Sequence, residues 1–120
     1  MARAYSKRLS TLKDFPDVLK HIRDECEYLT GLSKTTDAAG FKKDETLKRA
    51  AVRSLEIIGE ASKKVPDEFR KKHPEMDWKE MAGMRDVLIH DYLGVDYDIV
   101  WDVIINYIPP LLARVKTITG

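Results

Sequence analysis

The stretch Leu47-Lys48-Arg49-Ala50-Ala51-Val52-Arg53-Ser54-Leu55-Glu56-Ile57-Ile58-Gly59-Glu60-Ala61-Ser62-Lys63-Lys64-Val65 decides the fold class. Leu47, Ala51, Leu55, Ile58, Ala61 and Val65 recur at steps of three and four, so they line one face of an α-helix. Asp44, just ahead, can accept the free amides of the first turn. Pro66 stops the helix, because it lacks an N–H and crowds the preceding turn. Gly59 costs about 1 kcal/mol relative to Ala in a helix interior, so its presence predicts close approach of another helix.

The same period extends outward. Phe15, Val18, Ile22, Cys26, Leu29 and Leu32 form an earlier stripe, with Pro16 in its first turn and Gly31 as its stop. Residues 33–43 read as a connection with one helical turn. Downstream, Pro66 to Lys72 reads as a short basic helix and His73-Pro74 as a turn. Asp77 then caps a third long helix through Trp78, Met81, Met84/Arg85 and Leu88, with Gly94 as its stop. A fourth helix runs from about Asp96 to Ile118, burying Val100, Ile104, Tyr107/Ile108, Leu111, Val115 and Ile118. Pro109-Pro110 falls inside it and predicts a kink or a break. Period-two patterning, hairpin signals and internal repeats are absent. The expectation is an all-α fold: an antiparallel helical bundle of four to five helices, one domain over residues 1–120, forming a homodimer that supplies extra burial.

Composition narrows the class of protein. Of 120 residues, 43% are apolar and 34% charged, as in ordinary globular chains, so disorder is not expected. One cysteine, Cys26, rules out an intrachain disulfide and fits a reducing cytoplasm. The Cys and His spacings do not suit zinc, and neither a metal nor a cofactor is expected. The basic start, with Arg3, Lys7 and Arg8, lacks the apolar stretch of a secretory signal, and no run approaches the ~20 apolar residues that span a bilayer. Charge is unevenly spread: residues 1–74 hold 17 Lys/Arg against 12 Asp/Glu, and residues 75–102 hold 2 against 8. Such asymmetry suits a basic face for a polyanion.

The residues with chemical potential lie in Arg85-Asp86-Val87-Leu88-Ile89-His90-Asp91-Tyr92. Histidine can take a proton from a hydroxyl and return one to a leaving group. Arginine's fork matches phosphate oxygens and can stabilise charge developing on them. Asp86, four residues before His90, can orient the imidazole and favour its charged form, and Tyr92 can donate to phosphate or stack on a base. With a ribose 2′-OH as nucleophile, this set performs metal-independent RNA cleavage, leaving a 2′,3′-cyclic phosphate and a 5′-OH. On one straight helix, however, Arg85 and His90 stand about 140° apart. Either the helix loosens near His90 or a second copy of the chain supplies the missing half of the site. A purely structural reading, cations placed at a helix C-terminus, competes with the catalytic one.

Gly83-Met84-Arg85-Asp86-Val87-Leu88-Ile89-His90-Asp91-Tyr92 resembles the signature of HepT-like proteins of the HEPN superfamily. Arg53 to Ala61 is similar to that family's second helix, and Gly94-Val95-Asp96-Tyr97-Asp98-Ile99-Val100-Trp101 to the entry of its last. The resemblance implies a homodimeric helical toxin of a two-gene toxin–antitoxin system, an endoribonuclease with Arg85 and His90 catalytic at the dimer cleft. It implies as partners RNA and a minimal nucleotidyltransferase antitoxin, which transfers AMP to Tyr92 and so places charge and bulk beside the catalytic pair. Relatives often carry Asn where Asp86 stands; an acid there repels phosphate even as it orients His90. The alternative function is a non-catalytic nucleotide- or partner-binding subunit of such a nucleotidyltransferase.

Outside the motif, Lys63, Lys64, Arg70, Lys71 and Lys72 are candidate RNA-backbone contacts, or a solvated helix end. Asp91, Asp96, Asp98 and Asp102 form an acidic stretch suited to docking a basic region of the antitoxin. Glu60 is expected to pair with Lys63 or Lys64 on the surface. His21 and His73 have no partners at useful spacing. Cys26 reads as core, and Trp78 and Trp101 as core or dimer anchors.

Overall fold

The structure, a computed structural model, describes residues 15–90 and 94–119. The basic start of the chain and Asp91, Tyr92 and Leu93 lie outside the described residues. Helix α1 covers Phe15–Ser33, two residues past Gly31, and buries Val18, Leu19, Ile22, Cys26, Leu29 and Leu32. Its C-terminal carbonyls are taken up locally: Lys34 N–H donates to Gly31 O at 3.1 Å and Thr35 N–H to Leu32 O at 3.0 Å. The expected single turn in the connection is α2, Ala38–Lys43, capped by Asp37 and anchored by fully buried Phe41.

Helix α3, Glu45–Lys63, starts as its sequence dictates, with Asp44 Oδ1 accepting from Leu47 N–H at 3.0 Å. Ala51, Leu55 and Ile58 are fully buried. Val18 of α1 lies across a groove from Ala61 of α3, while Ser54 Oγ donates to Glu25 O at 3.4 Å, so the two helices run antiparallel. Gly59 meets the predicted neighbour: a Cβ built there would lie 3.2 Å from Met81 O and 3.6 Å from Met84 Cβ. The short basic helix forms as α4, Asp67–Lys72.

The third helix departs from expectation. In place of one run from Asp77 toward Gly94 there are two short helices, α5 (Trp78–Ala82) and α6 (Met84–Leu88), jointed at Gly83. Gly83, at φ −87 and ψ 8, leaves helical geometry, where glycine's weak helix propensity resists least. Beyond Leu88 the chain is extended: β1 (Ile89–His90) pairs antiparallel with β2 (Gly94–Val95). Leu88 O accepts from Asp96 N–H at 3.0 Å, so the carbonyl that a continuing helix would have used is already satisfied. Gly94, at φ +87, occupies the left-handed region that glycine enters without steric cost.

Asp96 caps α7, Tyr97–Asp102, its carboxylate accepting from Asp98 and Ile99. A π turn, Val103–Tyr107, follows, then α8, Ile108–Thr119. The expected disruption at Pro109-Pro110 is therefore displaced: the helix is unbroken at the prolines, which sit in the first turn of α8. The irregularity lies just upstream because Pro109 and Pro110 cannot donate to Ile105 and Asn106 and would crowd their carbonyls. The wider π turn, closed by Ile108 N–H to Val103 O, accommodates that. Arg23 reaches Thr119 at 3.2 Å, and Phe41 of α2, the helix that follows the end of α1, packs 5.2 Å from Trp101, so α7–α8 returns antiparallel to α1. The described residues are thus predominantly helical, with three long runs enclosing one core and α5–α6 closing its side. No helix among them is long and apolar enough to cross a membrane.

Candidate functional site

Segment α5–α6 is positioned by what it buries. Met81, Met84 and Leu88 enter the core, and the seam against Gly59 fixes the height of the joint on α3. Arg85, Asp86 and Val87 consequently face solvent. No hydrogen bond or ion pair engages the Arg85 side chain among the described residues. Arg85 is flanked by exposed apolar groups, Val87 at 50% and Ile89 at 37%.

His90 follows on extended backbone, paired opposite Gly94. The helix thus ends before His90, and the ~140° separation of an ideal straight helix does not apply to Arg85 and His90. Ile89 and His90 advance ~3.3 Å each instead of 1.5 Å, so helical spacing does not relate Asp86 to His90. Tyr92 itself lies outside the described residues.

The basic group divides. Arg70 is half-buried, its Nη2 donating to Ser62 O at 3.1 Å and Lys63 O at 3.0 Å, where it caps the C-terminus of α3. Lys63 holds Glu60 at 3.3 Å, as expected of a surface pair. Lys64, Lys71 and Lys72 are exposed. The acidic stretch is engaged locally: Asp96 caps α7, Asp98 pairs with Lys42 at 2.8 Å, and Asp102 accepts from Asn106 at 2.7 Å. The Asp98 hydrogen bond and charge hold the Lys42 ammonium above its usual range.

Several partners were not foreseen. His73 lies 4.5 Å from Phe69 and contacts Glu75 Oε1 through Nδ1 at 3.0 Å, while its carbonyl accepts from Trp78 Nε1 at 2.9 Å. A backbone hydrogen bond, and then His73, hold the Glu75 carboxyl below its usual range. Asp77 stands at the start of α5 but makes no side-chain cap; it turns to Arg114 at 3.6 Å. Cys26 is core, its thiol pushed up to about 12 by burial. The α1–α3 face bearing His21 and Glu60 also forms a groove of about 290 Å³. The signal that could have revealed it is Ile57, an apolar residue off the core stripe.

The sequence model of the family described as ribonuclease HepT-like matches residues 22–118, from within α1 almost to the end of α8. The chain belongs to that family. A "Putative RNase" of Caldanaerobacter subterraneus subsp. tengcongensis is 55% identical over 100 residues, covering 83% of this chain and 89% of the relative. A "Probable ribonuclease HepT" of Thermococcus cleftensis is 41% identical over 98 residues, covering 82% and 89%. A "Putative RNase" of Methanocaldococcus jannaschii is 40% identical over 102 residues, covering 85% and 81%. No solved structure matches the chain. The HepT-like HEPN resemblance carried by the Arg85 to Tyr92 motif is thus a family relationship.

Proposed function

We propose that this HepT-like chain is an endoribonuclease that needs no metal, and the toxin of a cytoplasmic toxin–antitoxin pair. The observation that carries the reading is an exposed arginine, free of protein partners among the described residues, on a helix that ends just before His90, in a chain whose relatives are named as ribonucleases. Arg85 holds the phosphodiester and stabilises charge on its oxygens. His90 takes the 2′-OH proton as O2′ bonds to phosphorus, and returns a proton to O5′ as that bond breaks. Asp86, exposed beside Arg85 on α6, supports the pair through its charge and not through helical contact with His90, and the exposed lysines 63, 64, 71 and 72 track the RNA backbone.

In the same reading the chain acts as a homodimer, with Val87 and Ile89 in the apolar surface that a second copy covers beside Arg85. A nucleotidyltransferase partner silences it by transferring AMP to Tyr92, whose negative charge repels the incoming phosphate. The test is cleavage of single-stranded RNA in EDTA, with product ends analysed. Cyclic-phosphate ends are expected from the native chain, and a loss of at least ~100-fold in His90→Ala and in Arg85→Ala with the helical spectrum intact. A fully active His90→Ala would remove the catalytic assignment. After coexpression with a minimal nucleotidyltransferase encoded beside it, intact mass is expected to show added AMP that Tyr92→Phe abolishes; no added mass would remove the AMP-transfer reading.

A further inference from the structure

The groove between α1 and α3 has an aliphatic floor of Val18, Ile57 and Ala61. Its rim carries His21, Arg53, Glu60 and Lys64. Glu60 is already compensated by Lys63 at 3.3 Å. The side chains of His21, Arg53 and Lys64 are exposed, and none makes a hydrogen bond or ion pair among the described residues. The rim is therefore cationic in effect. Arg53 on α3 and Lys64 at its C-terminal cap stand about three turns apart, ~16 Å along the helix axis, with the apolar floor between them.

We infer that this groove docks an acidic amphipathic helix of a partner protein: apolar side chains one turn apart, flanked at each end by carboxylates about three turns apart. The described floor, Val18, Ile57 and Ala61, is aliphatic, so it rewards apolar side chains of a peptide and leaves the polar edges of a base unsatisfied. Helix-in-groove recognition uses anchors at this spacing, and 290 Å³ lies at the small end for a small-molecule cleft. The chain's own start does not complement the rim, since Arg3, Lys7 and Arg8 come with no acid before Asp14. A second copy presenting the same face would bring Arg53 and Lys64 against their own kind. This inference does not need the ribonuclease reading, although it shares Lys64 with the RNA path proposed there, and peptide binding is read in the absence of RNA.

The probe is a fluorescein-labelled helical peptide with two leucines one turn apart and glutamates at both ends, titrated into the full chain at low salt and followed by anisotropy. A second peptide replaces every Glu by Lys. The acidic peptide is expected to bind and to weaken with salt, the basic one not to bind. Arg53→Glu combined with Lys64→Glu, both at exposed positions that leave the helices intact by circular dichroism, is expected to weaken binding at least about tenfold. The inference is overturned if neither peptide binds, if both bind alike, or if the double variant binds as before. RNA binding that falls in Arg53→Glu, a groove residue outside the proposed RNA path, while the acidic peptide fails to bind the native chain, would assign the groove to nucleic acid and overturn the inference. A change in the double variant's mass in solution, without peptide binding by the native chain, would assign it to self-association.

Discussion

Replacing Gly59 and Gly31 by alanine separates helix propensity from packing. Each substitution reduces the backbone entropy lost on folding, a gain of about 0.5–1 kcal/mol inside a helix. At Gly31 nothing lies within 4 Å of the new methyl, so the gain stands and Gly31→Ala is expected to stabilise the chain. At Gly59 the methyl lies 3.2 Å from Met81 O and 3.7 Å from Ala82 O. These are backbone atoms at the C-terminal end of α5 and cannot swing aside as a side chain would. Overpacking of this kind costs about 1–3 kcal/mol, which exceeds the propensity gain. Gly59→Ala is therefore expected to be less stable by about 1 kcal/mol, and the two variants to differ by about 2 kcal/mol. Urea unfolding midpoints at unchanged m would read this directly, and thermal midpoints should separate by roughly 6–12 °C. If Gly59→Ala stabilises as much as Gly31→Ala, the close passage of α5–α6 over α3 is wrong.

Arg70→Ala removes two charge-assisted bonds to the last carbonyls of α3, so it should cost about 1–2 kcal/mol of stability in urea without RNA present; an unchanged midpoint would reject the capping role. Cys26, with its thiol pushed up to about 12, should resist iodoacetamide at pH 8.5 in the native chain and react once denatured. Modification at the rate of a free thiol would contradict its burial. Glu45 is held below its ordinary pKa by the hydrogen bond from Lys48, and Glu75 by a backbone hydrogen bond and His73. Their contribution is present above the unfolded value and is lost as pH falls through the folded one. The combined variant Glu45→Gln, Glu75→Gln should accordingly flatten the loss of stability below about pH 4.5, seen in urea midpoints against pH.

What was legible in the sequence was local. The stripes of α1 and α3, the Asp44 cap, the single turn of α2 and the short helix after Pro66 each depend on neighbours within about a turn. The Gly59 seam was legible too, because a glycine that weakens an otherwise strong helix is tolerated where a second backbone needs the space. What failed to show was long-range. Asp77 reads as a cap, but its carboxylate is drawn to Arg114 on another helix. The end of α6 depends on Asp96 N–H reaching Leu88 O, and no local pattern announces that bond. Helical-wheel geometry accordingly misplaces His90, a residue that lies beyond the end of its helix. The prolines located the irregularity of the last helix to within a turn, but not its form, since a π turn conserves the helix axis where a break would abandon it.

The joint at Gly83 leaves Arg85 on a helix of five residues. An isolated helix that short does not persist in water, since nucleation alone outweighs what so few hydrogen bonds return. The order of α6 is therefore imposed from outside, through Met81, Met84 and Leu88 in the core and through the bare backbone of Gly59. Substitutions at this seam, remote from any RNA, would let Arg85 drift while the three long helices stay folded. Loss of function by that route would register as a change in amide exchange confined to residues 84–88, well before any change in melting temperature.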